Sequence, residues 1–455
     1  VKRYTTLGMA NDQGKMGNVV GLGVMSDLLK KEISQVGTTT FRPPYTPVSI
    51  GSLAGRNVDK HFRPLRLTSL HHWNLDHGAV MIETGLYQRP WYYPKANETL
   101  SEAYIREADT VRKTVGICDV TSLGKISIQG PDSTELLNRI YTNPFAKLAI
   151  GKTRYGIMLR DDGLVMDDGT AWRLSEDEYF MTTSTAQAAK VMAWLEELLQ
   201  VRWTDLKVHV SSVSEQWAAV SVAGPKSRDT LSKCLADPKV ISNESLPFMG
   251  FIETKLKNGV PCKIARISFS GELAFEVYSP SDYGPSVIDM IWESANSFQG
   301  CLYGLEALGA LRVEKGHVTG AELDGRVTID DAGLGKMASS KKSYIGSAMR
   351  KRGVLKDESR ETLVGIYPKN RKQTFDAGTI ICEKNFIKGN GIGRITSVTH
   401  SPELGHWIGL GFIKGGYEKW KDISVIGSDP VRNKEVELEI VSPHMIDPEG
   451  KRMYG

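Results

Sequence analysis

Cysteine is sparse in this 455-residue sequence: Cys118, Cys234, Cys262, Cys301 and Cys382 are widely scattered, with no CxxC pair. That spacing excludes a disulfide scaffold and fits a reducing cytoplasm best. Long hydrophobic runs are missing too, and the opening VKRYTTLGMANDQGK is too polar for a secretory signal. Neither charge sign dominates, since 57 Lys and Arg stand against 53 Asp and Glu. The formal +4 makes no case for nucleic acid or a membrane surface, and leaves a small anionic ligand compatible. An initiator Met is absent, which favours a fragment or a processed chain. A dinucleotide fingerprint is lacking as well: Gly21-Leu22-Gly23 is an isolated pair, and GNGIGR at Gly389 to Arg394 does not link a strand to a helix. No flavin or nicotinamide site is therefore expected within these residues. His71 and His72 have no further His, Cys or carboxylate at ligand spacing, so no metal site is expected.

The length suggests roughly three domains, and 40% apolar with 24% charged residues is ordinary for a globular chain. Residues 1–60 alternate short helical patches, such as Val24 to Glu32, with an extended stretch from Thr38 to Ile50 that carries Pro43, Pro44 and Pro47. They read as the tail of a preceding domain and a linker.

Residues 61–355 contain an internal repeat. ISIQGPDSTELL from Ile126 matches VSVAGPKSRDTL from Val220, and EYFMTTSTAQAAKVMAWLEEL from Glu178 matches AFEVYSPSDYGPSVIDMIWES from Ala274. Each copy runs an apolar strand into Gly-Pro and a helix, then a second strand into an amphipathic helix. Two such strand-helix-strand units are expected to pack into one α+β body. Residues 356–455 change to short alternating runs, among them LVGIYP, GTIICE and WIGLGFI, which predict a small antiparallel β-barrel.

Three stretches carry candidate chemistry. In Tyr155-Gly-Ile-Met-Leu-Arg-Asp-Asp-Gly-Leu-Val-Met-Asp-Asp-Gly169, a strand bearing Tyr155 and Met158 turns at Asp161 to Gly163 and returns to Asp167 and Asp168. Strand alternation lets only one of these two carboxylates face a given pocket, and a plain surface turn is the competing reading. In Ser268-Phe-Ser-Gly-Glu-Leu-Ala-Phe-Glu276, Glu272 and Glu276 share one face if the stretch is extended; otherwise they are a turn and an edge-strand glutamate. In Gly304 to Gly316, Leu305, Leu308 and Leu311 mark a helix ending at Gly316, with Arg312 as either a ligand or a buried structural cation.

In order and spacing, KRYTTLGMANDQGK, GTTTFRPPYTPVSIGSLAGR, RYGIMLRDDGLVMDD, SFSGELAFE and LRVEKG resemble the glycine cleavage T-protein (aminomethyltransferase) family. Within it, the amino-terminal joint is similar to that of the alpha subunits of heterotetrameric sarcosine oxidases, in their carboxy-terminal half. The resemblance implies a duplicated folate-binding body followed by a β-barrel, with tetrahydrofolate as the cofactor of this chain. It implies Asp168 as the catalytic carboxylate and Tyr155, Met158, Glu272, Phe269 and Arg312 around the pterin. FAD, FMN and NAD belong, on this resemblance, to portions outside the chain. A flavin-carrying beta subunit and small accessory subunits are the implied partners. The implied function is capture of the one-carbon unit of flavin-oxidised sarcosine as 5,10-methylenetetrahydrofolate, leaving glycine. A free-standing tetrahydrofolate-dependent aminomethyltransferase or related demethylase, and a non-catalytic folate-binding or docking domain, are the alternatives. Leu308 stands where the glycine cleavage members have an arginine, so a polar contact made there is not carried over, while Phe269 takes the aromatic and Ser270 the hydroxyl position of the family's tyrosine-threonine-glycine-glutamate pattern.

Overall fold

A computed structural model describes residues 1–43, 45–384 and 391–455; the first two residues of GNGIGR lie outside them. The chain divides into Val1–Leu65 and Arg66–Gly455. In the first unit a helix spans Gly17–Leu29 and ends at Lys30 in the left-handed region, φ 53°. Its entry is fixed by Asp12, whose carboxylate accepts from the amides of Gly14, Met16 and Gly17 at 2.9, 2.9 and 3.1 Å. Met16, Val19, Val20 and Leu28 are exposed.

In the second unit a short helix, His71–Asp76, precedes the hairpin β1 (Val80–Thr84) and β2 (Tyr87–Tyr92). There follow β3 (Gly116–Asp119), β4 (Gly124–Gln129), β5 (Thr153–Leu159), β6 (Val165–Arg173) and β7 (Glu178–Thr183). Next come β8 (His209–Ser212), β9 (Trp217–Ala223), β10 (Phe251–Lys255), β11 (Pro261–Ala265), β12 (Ala274–Pro280) and β13 (Cys301–Leu302). Strands β5-β6-β7-β4-β8 form one sheet and β10-β11-β12-β9-β3-β13 another.

The sequence repeat is a structural one. β4 pairs antiparallel with β7, and β9 pairs antiparallel with β12. β4 runs through Gly130 into the helix Ser133–Ile140, and β9 through Gly224 into Ser227–Cys234. β7 and β12 lead to the helices Ala188–Glu197 and Gly284–Asn296. Gly130 and Gly224 have φ of 132° and 122°. A Cβ would also lie 2.2 Å from the Lys207 carbonyl at the first and 2.5 Å from the Val111 carbonyl at the second. Glycine is required at both turns by conformation and by space.

The two sheets face each other through aromatic side chains. Trp172 of β6 meets Tyr278 of β12 edge to face, with ring centroids 5.0 Å apart at 85°, and Phe180 of β7 meets the same tyrosine at 5.6 Å. The expected helix runs from Leu305 to Lys315 and stops at Gly316, φ 80°. Downstream, β14 (Glu361–Pro368), β15 (Ile380–Glu383), β16 (Gly393–Ser401), β17 (His406–Lys414), β18 (Val425–Asp429) and β19 (Lys434–Val441) close a barrel in the order β14-β17-β16-β15-β18-β19. An α+β body followed by a closed antiparallel barrel is the architecture that the periodicities predict.

Candidate functional site

The β5–β6 hairpin turns where Gly163, at φ 88°, donates its amide to the Arg160 carbonyl at 3.0 Å. Its register sets Tyr155 opposite Thr170 and Ile157 opposite Asp168, so these four share a face. On that face Tyr155 Oη donates to Asp168 Oδ2 at 2.7 Å. Thr170 and Thr182 hydroxyls are 2.8 Å apart, and Trp172 Nε1 donates to Thr170 Oγ1 at 2.8 Å.

Asp167 points the other way. Its carboxylate accepts from Ser184 Oγ at 2.7 Å and from the Ser184 amide at 3.2 Å. Burial pushes the Asp167 carboxyl up to about 7, and the neighbouring Asp168 adds to the rise against the pull of the Ser184 bonds. Burial also raises Asp168, while the Tyr155 hydroxyl pulls it back. Among the described residues no Lys, Arg or His forms an ion pair with Asp168.

Opposite this face, Tyr278 Oη donates to Glu276 Oε2 at 2.9 Å. Burial raises the Glu276 carboxyl, and Tyr278 and Lys125 oppose the rise. Because Trp172 stands two residues from Thr170 and touches Tyr278, the Asp168 side of β6 and the Glu276 side of β12 look toward the same interior. Two desolvated carboxylates, each held by a tyrosine, are thereby presented between facing sheets.

The other expected site residues are placed elsewhere. Met158 sits opposite Asp167, not Asp168, and is fully buried among Ile128, Leu137, Tyr141 and Met181. Three positions along a strand reverse the face, so Met158 is a core residue on the side of the sheet away from Tyr155 and Asp168. Glu272 is engaged by Arg112 Nη1 at 2.7 Å and by Arg452 Nη1 at 3.0 Å. Arg112 also binds Glu314, Nη2 to Oε2 2.5 Å, making a buried ion network. The condition that Glu272 and Glu276 share a face is not met, because the chain around Glu272 is not extended: β12 begins only at Ala274 and Gly271 has φ 84°. Glu276 was signalled by its own alternation with Tyr278 inside the strand. Phe269 is 36% exposed beside His317, ring centroids 5.7 Å apart. Arg312 is buried, donating to Glu322 Oε2 at 2.7 Å, Ser397 Oγ at 2.6 Å and the His317 carbonyl at 3.2 Å. It has the structural role left open by the sequence, joining the helix to the barrel.

Upstream polar residues brace the body. Asp119 accepts from Asn74 Nδ2 at 2.8 Å, Thr68 Oγ1 at 3.3 Å and the Thr121 amide at 2.8 Å. Trp73 Nε1 donates to Asp289 at 2.6 Å.

Comparison with known proteins places three families along the chain. The GCVT N-terminal domain matches residues 70–342, the glycine cleavage T-protein C-terminal barrel domain residues 362–447, and the sarcosine oxidase A3 domain residues 1–56. The chain is 43% identical to sarcosine oxidase subunit alpha of Rhizobium meliloti (strain 1021), over 100% of this chain and 46% of that protein. It is 30% identical to the aminomethyltransferase of Listeria monocytogenes serotype 4a (strain HCC23), over 82% of this chain and 96% of that protein. The chain thus spans about half the length of the sarcosine oxidase subunits it matches. The crystal structure of glycine cleavage system aminomethyltransferase T from Bartonella henselae shares the fold, with a TM-score of 0.72 at 23% identity over 84% of this chain and 99% of that one.

Proposed function

The chain belongs to the glycine cleavage T-protein family, with that family's body and barrel in order, and from this we propose that the face around Asp168 binds tetrahydrofolate and passes it a one-carbon unit drawn from sarcosine. The observation that carries the reading is a pair of half-buried carboxylates, Asp168 and Glu276, each bonded to a tyrosine between facing sheets. The donor set fits a reduced pterin. Carboxylates accept hydrogen bonds from amino and ring N–H groups, and a partly desolvated acid without an ion pair gains from a ligand that brings donors or positive charge. Asp168, Tyr155 and Glu276 would hold the ring, with Trp172 closing the floor.

Sarcosine is inferred from the likeness to sarcosine oxidase alpha subunits along the whole chain. A flavin outside these residues, on a companion beta subunit, supplies the oxidation that turns the methylamine into an imine. The work left to this chain is to exclude water, hold the folate amine and stabilise positive charge on the one-carbon donor. Asp168 does the last as a carboxylate, and it takes or returns the proton on the amine nitrogen. Tyr155 fixes Oδ2 of that carboxylate. The products are 5,10-methylenetetrahydrofolate and glycine.

The test is co-purification from the native source followed by sarcosine-dependent peroxide production with and without tetrahydrofolate. A companion flavin subunit, with formaldehyde replaced by methylenetetrahydrofolate when folate is present, supports the proposal. The likeness to free-standing aminomethyltransferases favours a second reading, transfer from a carrier protein; turnover with such a carrier and none with sarcosine would establish it instead. Folate binding with no turnover in either assay would leave a docking role.

A further inference from the structure

Between Ala332 and Lys356 the chain carries seven cations, Lys336, Lys341, Lys342, Arg350, Lys351, Arg352 and Lys356, and no carboxylate. With 57 Lys and Arg against 53 Asp and Glu in all, this one stretch outweighs the excess of the whole molecule. Three of the seven are spent on structure. Arg350 and Lys356 both reach Asp330, at 2.7 and 2.8 Å, and Lys342 Nζ donates to the Asn138 and Tyr141 carbonyls. Lys336, Lys341, Lys351 and Arg352 are exposed, and among the described residues none of them forms an ion pair. Solvated cations are ordinary on a surface; the position of these four singles them out.

The stretch wraps the β5–β6 hairpin, which carries Tyr155 and Asp168. Just upstream of it, the Val165 amide at the start of β6 donates to the Val327 carbonyl at 2.9 Å. The stretch then follows β5, since the Ser339 amide donates to the Thr142 carbonyl at 2.9 Å and the Thr142 amide to the Ile157 carbonyl at 2.9 Å. Farther on it covers the hairpin turn: a Cβ at Gly163 would lie 2.9 Å from the Arg350 nitrogen, and one at Gly346 would lie 2.5 Å from the Arg160 carbonyl. Leu334, Met337 and Ala338 pack in the same apolar cluster as Tyr155 and Ile157, the residues that share a face with Asp168. Lys336 and Lys341 therefore stand at the rim of the candidate folate face, and Lys351 and Arg352 lie at the turn, roughly 15 Å along the hairpin at about 3.3 Å per residue.

We propose that this basic stretch docks the tail of a tetrahydrofolate whose glutamate is extended by further γ-linked glutamates. The inference rests on the reading of the Asp168 face as the folate site, and adds the form of folate that the site prefers. Pterin and glutamate are opposite ends of the molecule, so a face that holds the one leaves the other to the rim. Each added glutamate brings one more α-carboxylate, ionised at neutral pH. Asp168 and Glu276 repel such a tail and the cations of the rim attract it, so the charge pattern leads it onto the stretch. Continuity with the pterin face favours this occupant over an acidic segment of a companion subunit, which would need no pterin beside it.

The experiment compares monoglutamyl and pentaglutamyl tetrahydrofolate binding to the full chain by tryptophan fluorescence, at about 20 mM and about 500 mM salt. An exposed ion pair is worth up to about fivefold in affinity, so the pentaglutamate should bind about tenfold tighter at low salt and lose most of that lead at high salt. Lys336→Gln with Lys341→Gln should cut the lead to about threefold or less. Lys351→Gln with Arg352→Gln should cut it for the pentaglutamate and spare a diglutamate, whose shorter tail stops before the turn. Lys255→Gln with Lys257→Gln, on and after β10 at the edge of the other sheet, removes equal charge and should keep the lead. Equal affinity for the two forms, a lead that survives Lys336→Gln with Lys341→Gln, or the same loss in all three double variants overturns the proposal. If neither form binds, the folate reading fails, and a fluorescently labelled γ-linked pentaglutamate tests the stretch by itself. Binding of that probe, abolished in Lys336→Gln with Lys341→Gln, upholds the docking surface; no binding to the unaltered chain overturns it.

Discussion

Tyr155 Oη donates to Asp168 Oδ2 at 2.7 Å across the β5–β6 ladder, and that single bond restrains a carboxyl which burial would otherwise raise further. Tyr155→Phe removes it without altering the ring. The Asp168 carboxyl then climbs, so methylenetetrahydrofolate formation falls by about tenfold near neutrality, the worth of one such hydrogen bond. An activity that needs the carboxylate exists above its folded pKa and is lost as pH falls through it. Raising the pH should therefore restore Tyr155→Phe and leave Asp168→Asn inactive, as read by product formation against pH with both variants folded.

Glu276 and Glu272 are four residues apart yet are expected to respond in opposite ways. Glu276→Gln keeps the Tyr278 bond and removes an anionic acceptor from the face turned toward Asp168, so folate affinity should drop about tenfold or more with little change in melting temperature. Glu272→Gln leaves Arg112 and Arg452 short of an anion, so the melting temperature should fall while folate affinity per folded molecule holds. Paired melting and binding measurements separate the two; affinity lost in Glu272→Gln but not in Glu276→Gln would reverse the assignment.

Asp167 makes the body less stable as the solution turns alkaline. Its folded carboxyl is near 7, above the unfolded value of 3.8, so between those limits the folded state binds more protons than the unfolded one. Stability therefore falls as pH rises from about 4 to about 7 and then levels off, by up to about 4 kcal/mol for a shift of this size. Asp167→Asn should melt higher than the unaltered chain at pH 8, and that advantage should shrink toward about pH 4. Thermal melts across the range check the sign.

The legible parts of this molecule were those whose signal is local. Gly130 and Gly224 stand out because a turn with φ above 120° and a carbonyl against the Cβ position admits no other residue, and that pinned both copies of the repeat. Strand alternation separated Asp167 from Asp168. The same rule, applied to Tyr155 and Met158, puts the two side chains on opposite faces of the sheet. The spacing of Glu272 to Glu276 has meaning only in extended chain, and at Gly271, φ 84°, the chain bends, with Ser268 Oγ accepting from the Gly271 amide at 3.1 Å and donating to the Glu272 carbonyl at 2.6 Å. The burial of Lys125, 0% exposed in β4, was invisible: a lone lysine in KISIQ reads as a wet strand face, and only the second sheet, contributed from far along the chain, makes that face an interior.

Arg312 offers the sharpest contrast between bracing and binding. Glu322, 0% exposed, accepts from Arg312 Nη1, from Ser397 Oγ at 2.6 Å, from Thr396 Oγ1 at 2.7 Å and from the Thr319 amide at 3.0 Å. Burial pushes its carboxyl up, but Arg312 and these donors prevail and hold it below the ordinary carboxylate range. A depressed folded pKa contributes stability that is present above the unfolded value and lost as pH falls through the folded one. Arg312→Met leaves the buried anion without its cation, at about 3–5 kcal/mol by urea unfolding at neutral pH. In the variant the Glu322 carboxyl rises and can take a proton, so the gap from the unaltered chain should narrow by about pH 5. Because the guanidinium is spent on Glu322, Ser397 and the His317 carbonyl, folate affinity of the folded fraction should not move. An affinity loss with unaltered unfolding would return Arg312 to the ligand.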